Sequence, residues 1–293
     1  MYNLLKPEYL WRPRQILRRL SFKPCQNATL PLPWNCTIDA CSAETIGHSI
    51  ATQGVYDLSV TETIVRLTDS GETSLDIGAN IGYMSLVLAM SAGPAGRVLS
   101  FEPNPDVLPR LRINVDRWKS LGIAPIEVRT IALSDRDGQG HLGFPSGYTE
   151  NSGLASLETS GGVPVSLSRL DSLGISRAGL MKVDVEGHEM AVFSGGHDLL
   201  AGGLIRDILF EEHRPYPAGS HEILLKHGYR IFRLTRSTWR PLLLPPEAPP
   251  RQSYLPSNFL ATIDPARAQL RFAPRGWYAL WSGPATLPKL RRN

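Results

Sequence analysis

The sequence predicts an α/β fold in which a doubly wound, mostly parallel sheet carries helices on both faces. Three observations carry that expectation. Apolar runs at 74–77, 97–101, 126–133, 180–185, 207–210, 229–234 and 259–263 read as strands. Segments of helical period alternate with them, and that alternation implies a parallel sheet buried on both faces. The glycines and charges gather where those strands end, the edge at which such sheets bind ligands.

In chain order, residues 1–23 read as a basic amphipathic helical arm, broken at Pro13. Lys6, Arg12, Arg14, Arg18, Arg19 and Lys23 stand against one acid, Glu8. Leu4, Leu5, Tyr9, Leu10, Trp11, Ile16, Leu17 and Leu20 form the apolar side. Residues 24–50 are turn-rich. Leu58, Thr61, Ile64, Val65 and Leu67 give 55–67 a helical period. The strand at 74–77 passes through a glycine-bearing loop into a helix from Tyr83 to about Met90. After 97–101, Asn104 as N-cap and Pro105 at the first helical position open a helix that buries Val107, Leu108, Leu111, Val115 and Trp118. Asp137-Gly138 turns the third strand into a short one at 141–144. Residues 145–162, polar and rich in Gly and Ser, read as a mobile loop. Helices at 188–200 and 220–226 follow the fourth and fifth strands, and 239–256 is Pro-rich and irregular. Three regions result: arm and lead-in 1–50, main domain 51–265, and tail 266–293 with Lys289, Arg291 and Arg292.

Length and composition fit one large α/β domain with extensions, or two small domains. The chain has 293 residues, 42% hydrophobic and 20% charged, with net charge +4. No apolar run reaches the roughly 18 residues of a spanning helix, and no secretory apolar core opens the chain, so a cytoplasmic location is expected. The arm is expected to dock on the domain or on a second subunit. An anionic membrane surface is the other reading. A nucleic-acid partner is not expected: there is no recognition motif, and the rest of the chain is charge-balanced. Cys25, Cys36 and Cys41 are spaced by 11 and 5 (36−25 and 41−36), which matches no zinc pair, and they read as reduced thiols.

The loop after the first strand decides the ligand class. Asp76 precedes Gly78, Asn80 and Gly82, which alternate into the helix. Glycine permits positive φ and close approach of backbone to a ligand, and asparagine tolerates the same conformations. A dinucleotide loop needs glycine at three places, but Asn80 and Tyr83 occupy two of them, and Asp76 would repel a pyrophosphate. A carboxylate there suits a ligand with an amino-acid end. Glu102, ending the second strand, suits the hydroxyls of a ribose. Ile131 and Ala132 offer an apolar surface for an adenine, and Asp135 either meets its amine or shapes the turn. Three such features at successive strand ends describe a nucleoside cofactor.

The stretches LDIGANIGYMSL (75–86), SFEPNP (100–105), IALSD (131–135), MKVDVEGHE (181–189) and NFLAT (258–262) resemble the FkbM family of methyltransferases. PEYLWRPRQILRRL (7–20) and GVYD (54–57) resemble leaders of such proteins. The resemblance implies a Rossmann-like class I methyltransferase fold with a seven-stranded sheet, preceded here by the helical arm. It further implies S-adenosyl-L-methionine as cofactor, held by Asp76, Gly78, Asn80, Gly82, Glu102, Asn104, Ala132 and Asp135. The reaction it implies is O-methylation of a small-molecule, glycan or lipid-linked hydroxyl acceptor.

The fourth strand end, LMKVDVEGHEM, supplies candidate catalytic residues. Charge in a buried strand is costly unless it is paired or used. Lys182, Asp184 and Glu186 alternate onto one side, and Lys182 and Glu186 read either as an ion pair or as functional groups. Methyl transfer to oxygen needs alignment and a proton acceptor. His188 has the intrinsic pKa of a base, and its bland reading is a helix cap. Asp184 would orient it, hold the cofactor amine or accept the proton. Glu212, with His213, forms a second acid–imidazole pair at the next strand end. No metal is expected, though Asp184, Glu212 and His213 are the ligands an assisting divalent ion would use. Two other functions fit less well. A non-catalytic cofactor-binding partner has no need of the charged strand end, and an NAD-dependent oxidoreductase lacks its glycines.

Overall fold

The computed structural model describes residues 6–144, 155–158, 161–249 and 257–281. In chain order its helices are α1 (Pro7–Leu10), α2 (Arg14–Leu20), α3 (Thr45–Gln53), α4 (Leu58–Leu67), α5 (Tyr83–Ala92), α6 (Leu108–Trp118), α7 (Glu189–Ser194), α8 (His197–Ala201), α9 (Gly219–Lys226) and α10 (Pro265–Phe272). Its strands are β1 (Ala28–Pro31), β2 (Thr37–Ala40), β3 (Thr73–Ile77), β4 (Arg97–Phe101), β5 (Ile126–Arg129), β6 (Ala132–Leu133), β7 (Gly138–Gly143), β8 (Ser156–Glu158), β9 (Val163–Ser168), β10 (Ala178–Val183), β11 (Ile205–Glu211), β12 (Arg230–Arg236), β13 (Pro241–Leu244) and β14 (Asn258–Thr262).

The main sheet runs β13-β12-β14-β11-β10-β3-β4-β5. Neighbours from β5 to β11 are parallel, β14 enters antiparallel between β11 and β12, and β13 is an antiparallel edge. The seven expected strands are present. The eighth, β13, lies in the stretch read as irregular, where Leu242–Leu244 pair with Arg233–Thr235. Strand order reverses between β3 and β10: the chain leaves β3 for β4 and β5, then returns on the other side. This is the switch point at which doubly wound sheets open a crevice.

The two faces of the sheet are covered separately. Leu75, Ile77, Met181, Val183, Ile208 and Phe210 pack into one core. Leu86, Val98, Leu180, Leu209 and Leu260 join the other, with α4 and α5. Helix α5 is buried all round, which explains its lack of an amphipathic stripe.

Several local expectations are revised. The third strand stops at Arg129, and Ala132–Leu133 pairs with β9 in a separate sheet ordered β6-β9-β7-β8. Part of the expected loop, Ser156–Glu158, is strand β8 of that sheet, and 145–154 and 159–160 lie outside the described residues. Helix α6 begins at Leu108, because the Asn104 side chain accepts from the Asp106 amide and holds 104–106 in a turn. The helix read at 188–200 divides into α7 and α8 at Gly195-Gly196. A Cβ on Gly195 would lie 1.9 Å from the Ser134 carbonyl oxygen, so the chain needs glycine there.

The tail is part of the core up to residue 281. Phe272, Trp277, Ala279 and Leu280 are buried against α4. The buried Arg66 pairs with Glu62 at 2.7 Å and donates to the carbonyls of Arg271, Pro274 and Gly276. Glu62 also accepts from the Ala279 amide. Lys289, Arg291 and Arg292 lie outside the described residues, as do Leu4 and Leu5.

The arm docks on the domain through Tyr9 and Trp11 of its apolar side together with Glu8 and Gln15. Glu8 is buried against Arg236 at 2.6 Å, Gln15 is buried, and Trp11 donates to the Thr238 carbonyl. Leu10, Leu17 and Leu20, also of that apolar side, are exposed. The cysteines are free, with Cys36 and Cys41 buried. Among the described residues no helix is long and apolar enough to cross a membrane.

Candidate active site

A pocket opens at the carboxyl ends of β3, β4, β6 and β10, beside the switch point. Its wall includes Gly78, Asn80, Glu102, Asn104, Ala132, Asp184 and His188. Gly78 and Asn80 take positive φ, 76° and 50°. The turn is pinned from three sides. The Gly78 and Ala79 amides donate to the Phe101 carbonyl, the Asn80 amide donates to Glu102 Oε2, and Lys182 Nζ donates to the Gly78 carbonyl. A Cβ on Gly78 would stand 1.9 Å from the Asp184 carbonyl oxygen, so glycine is required for the loop to meet the end of β10.

Glu102 is nearly buried and uses each oxygen once, Oε2 for the Asn80 amide and Oε1 for the Asn104 amide at 2.9 Å. Burial pushes its carboxyl up to about 7 against the pull of those amides. Each oxygen keeps a lone pair for a further donor. Ile131, Ala132 and Leu133 form an apolar wall, continued by Leu142 and Leu157 of the small sheet.

Two expected cofactor contacts sit behind the wall instead. Asp76 is fully buried and absent from the lining. Its Oδ2 accepts from Ser85 Oγ at 2.5 Å, Ser85 accepts from Ser100, and Oδ1 lies 3.5 Å from Lys182 Nζ. Asp76 therefore fixes the loop from beneath. Gly82 is also absent from the lining. It starts α5 at φ 89°, where a Cβ would lie 2.7 Å from Leu111.

Lys182 pairs with Asp184 and Asp76, each at 3.5 Å, and not with Glu186. Burial opposes its charge, but the two carboxylates outweigh burial and hold its pKa above the usual lysine value. Strand β10 ends at Val183 and Glu186 has φ 50°, so the alternation that would align Lys182 with Glu186 stops short.

His188 lines the pocket at the N-cap position of α7, where its side chain makes no capping bond. Its Nε2 lies 2.9 Å from Ser134 Oγ, and Ser134 donates to Asp135 Oδ1 at 3.1 Å. A hydroxyl has one proton. With that proton on Asp135, Ser134 accepts from His188, which fixes the Nε2–H tautomer and leaves Nδ1 as an acceptor. Burial lowers the His188 pKa, keeping the imidazole neutral near pH 7. Asp135 is exposed and outside the lining, and its carboxylate is the acceptor at the end of this relay.

Glu212 is also displaced. Its carboxylate lies away from the pocket and is used by Arg214 at 2.7 Å and by Ser220 at 2.5 Å. Burial opposes ionisation, but these partners prevail and bring its pKa to about 2. A group committed so fully is no proton acceptor at neutral pH. His213 pairs instead with Glu211 at 3.3 Å. Glu211, unmarked in the sequence reading, is raised to about 8 by burial and by Asp184, Asp57 and Glu186. Among the described residues no group of three or more His, Cys, Asp or Glu side chains is placed to hold a metal ion.

The sequence reading also missed Thr45, Ile46 and Tyr56, which reach the pocket from the lead-in. The GVYD stretch was a signal for Tyr56 alone, and Thr45 and Ile46 carried none. The small sheet did carry one, since Val163, Val165 and Leu167 alternate in strand period.

The model of the methyltransferase FkbM domain matches residues 76–231. The chain belongs to the FkbM methyltransferase family. The family's matched segment contains every strand end that builds the pocket. AMB antimetabolite synthetase AmbE of Pseudomonas aeruginosa is 28% identical over 206 residues, covering 54% of this chain and 9% of that protein. Hexuronic acid methyltransferase AglP of Haloferax volcanii is 28% identical over 149 residues, 48% of this chain and 58% of that protein. The chain thus spans less than two thirds of either relative. The crystal structure of methyltransferase FkbM from Methylobacillus flagellatus superposes with a TM-score of 0.44 at 14% identity, covering 66% of this chain and 44% of that one.

Proposed function

We propose that this chain is an S-adenosylmethionine-dependent methyltransferase acting on a hydroxyl oxygen of a small-molecule, glycan or lipid-linked acceptor. The observation that carries it is the convergence of the Gly78–Asn80 turn, Glu102, Ala132 and Asp184 on one pocket from four strand ends. The donor set fits the cofactor. Glu102 keeps a lone pair on each oxygen for a ribose diol, Ala132 and Leu142 face a base with apolar atoms, and Asp184 offers a carboxylate to an ammonium. When bound, S-adenosylmethionine supplies a methyl group on a sulfonium leaving group. His188 Nδ1 takes the acceptor's proton while Nε2–H stays on Ser134, and the turn and Glu102 hold the reacting partners in register. The name of AglP, a hexuronic acid methyltransferase, supports a sugar as acceptor.

Calorimetry with S-adenosylhomocysteine tests the cofactor, and labelled S-adenosylmethionine with extracts, followed by product mass spectrometry, tests the acceptor. Glu102→Ala is expected to abolish cofactor binding. His188→Ala is expected to keep binding and lose turnover. Binding of a nicotinamide cofactor in place of S-adenosylhomocysteine would overturn the reading, and methyl found on carbon or nitrogen would overturn its oxygen specificity.

A further inference from the structure

We propose that the outward side of the N-terminal arm, with the tryptophans beside it, is a docking surface for an anionic lipid bilayer. Helix α2 inverts the usual arrangement of a packed helix. Gln15 is buried on the domain, while Leu17 is 68% and Leu20 79% exposed. At about 100° per residue those leucines lie roughly 200° and 140° round the helix from Gln15, on the opposite side. Arg14 and Arg18 are exposed beside them.

The segment just before the helix also carries exposed apolar side chains. Leu10 is exposed, and Trp11 next to it meets Trp239 and Trp281 edge-on, with ring centroids 6.0 and 6.4 Å apart. Trp239 and Trp281 are 60% and 61% exposed. The Trp11 ring nitrogen donates to the Thr238 carbonyl, so the indole is held in place by the fold. Large exposed apolar side chains gathered in one region mark an interaction surface.

Charge decides the occupant. The arm's one acid, Glu8, is buried on Arg236 and offers nothing to a partner, whereas Arg14, Arg18 and Lys23 are exposed. Leucines flanked by arginines, with tryptophan at the border of apolar and wet surface, suit the headgroup region of a bilayer bearing negative charge. Helix α2 rests on α3, which supplies Thr45 and Ile46 to the pocket wall. The bilayer would thus lie next to the element that borders the site.

Sedimentation of the full chain with large vesicles tests this, using phosphatidylcholine alone and phosphatidylcholine mixed with phosphatidylglycerol. The protein is expected to sediment with the mixed vesicles, to stay in solution with the neutral ones, and to be released by high salt. Leu17→Glu/Leu20→Glu and, separately, Arg14→Glu/Arg18→Glu are each expected to weaken vesicle binding by about tenfold or more. All these side chains are exposed, so the thermal midpoint and S-adenosylhomocysteine binding should not change, which separates lost docking from lost folding. The proposal fails if the wild type ignores mixed vesicles or if both variants sediment like wild type. It fails equally if light scattering shows a dimer that the leucine variant dissociates, with no vesicle binding.

Discussion

Glu102 sits where its charge is worth most and is hardest to keep. Burial raises its carboxyl to about 7, so in the free protein protonation competes with ionisation close to neutral pH. Ribose hydroxyls donate to the ionised form, so binding favours loss of the proton. The sign is therefore fixed: affinity for S-adenosylhomocysteine should be full above pH 8 and fall by up to about tenfold per unit below pH 7. Calorimetry between pH 6 and 8.5 reads this, and a flat profile would remove the ribose role. Ser134 gives a second residue-scale prediction. Ser134→Ala frees the His188 tautomer, so kcat should fall by about tenfold with little change in KM, and the acid limb of the kcat profile should move. Both residue types and spacings pointed to the pocket, and Glu102, Asn80 and Gly78 were legible on that basis. Asp76 and Glu212 stand outside the pocket lining for one physical reason. A strand-end carboxylate faces ligand or interior according to its neighbours, and the sequence does not show that Ser85 turns back to Asp76 or that Arg214 and Ser220 close on Glu212.

At the scale of elements, α4 is a strut more than a wall. Its Arg66 ties three carbonyls of the 271–276 turn, and its Glu62 holds the Ala279 amide. Arg66→Ala leaves Glu62 buried and uncompensated, an expected loss of about 3–5 kcal/mol of stability, read by urea unfolding. Replacing both, as Glu62→Gln/Arg66→Met, should recover much of that. A loss below about 1 kcal/mol in the single variant would show that the turn is held by other contacts. Strand and helix types were legible from period and flanking residues. Boundaries were less so, because Asn104 diverts its side chain into a turn and Gly195 answers to a carbonyl distant in sequence.

At the scale of the whole molecule, two sheets and a lead-in share one pocket. The reversal of strand order between β3 and β10 opens the crevice, and the small sheet closes one side of it with Leu142. Leu142→Ala should weaken S-adenosylhomocysteine binding by about 1–2 kcal/mol, a five- to thirtyfold rise in Kd. Unchanged affinity would detach the small sheet from the site. This partnership was not legible. The third strand reads as one apolar run from 126 to 133, and only its break at 130–131 shows that two sheets divide it.

The lock between the turn after β3 and the end of β10 has a thermodynamic consequence. The Asp184 amide donates to the Ile77 carbonyl, Lys182 ties down the Gly78 carbonyl, and the missing Cβ of Gly78 lets the two backbones touch. These two walls are already joined before any ligand arrives. A ligand entering there orders little backbone, so the conformational entropy lost on binding is small and its contacts are retained as affinity.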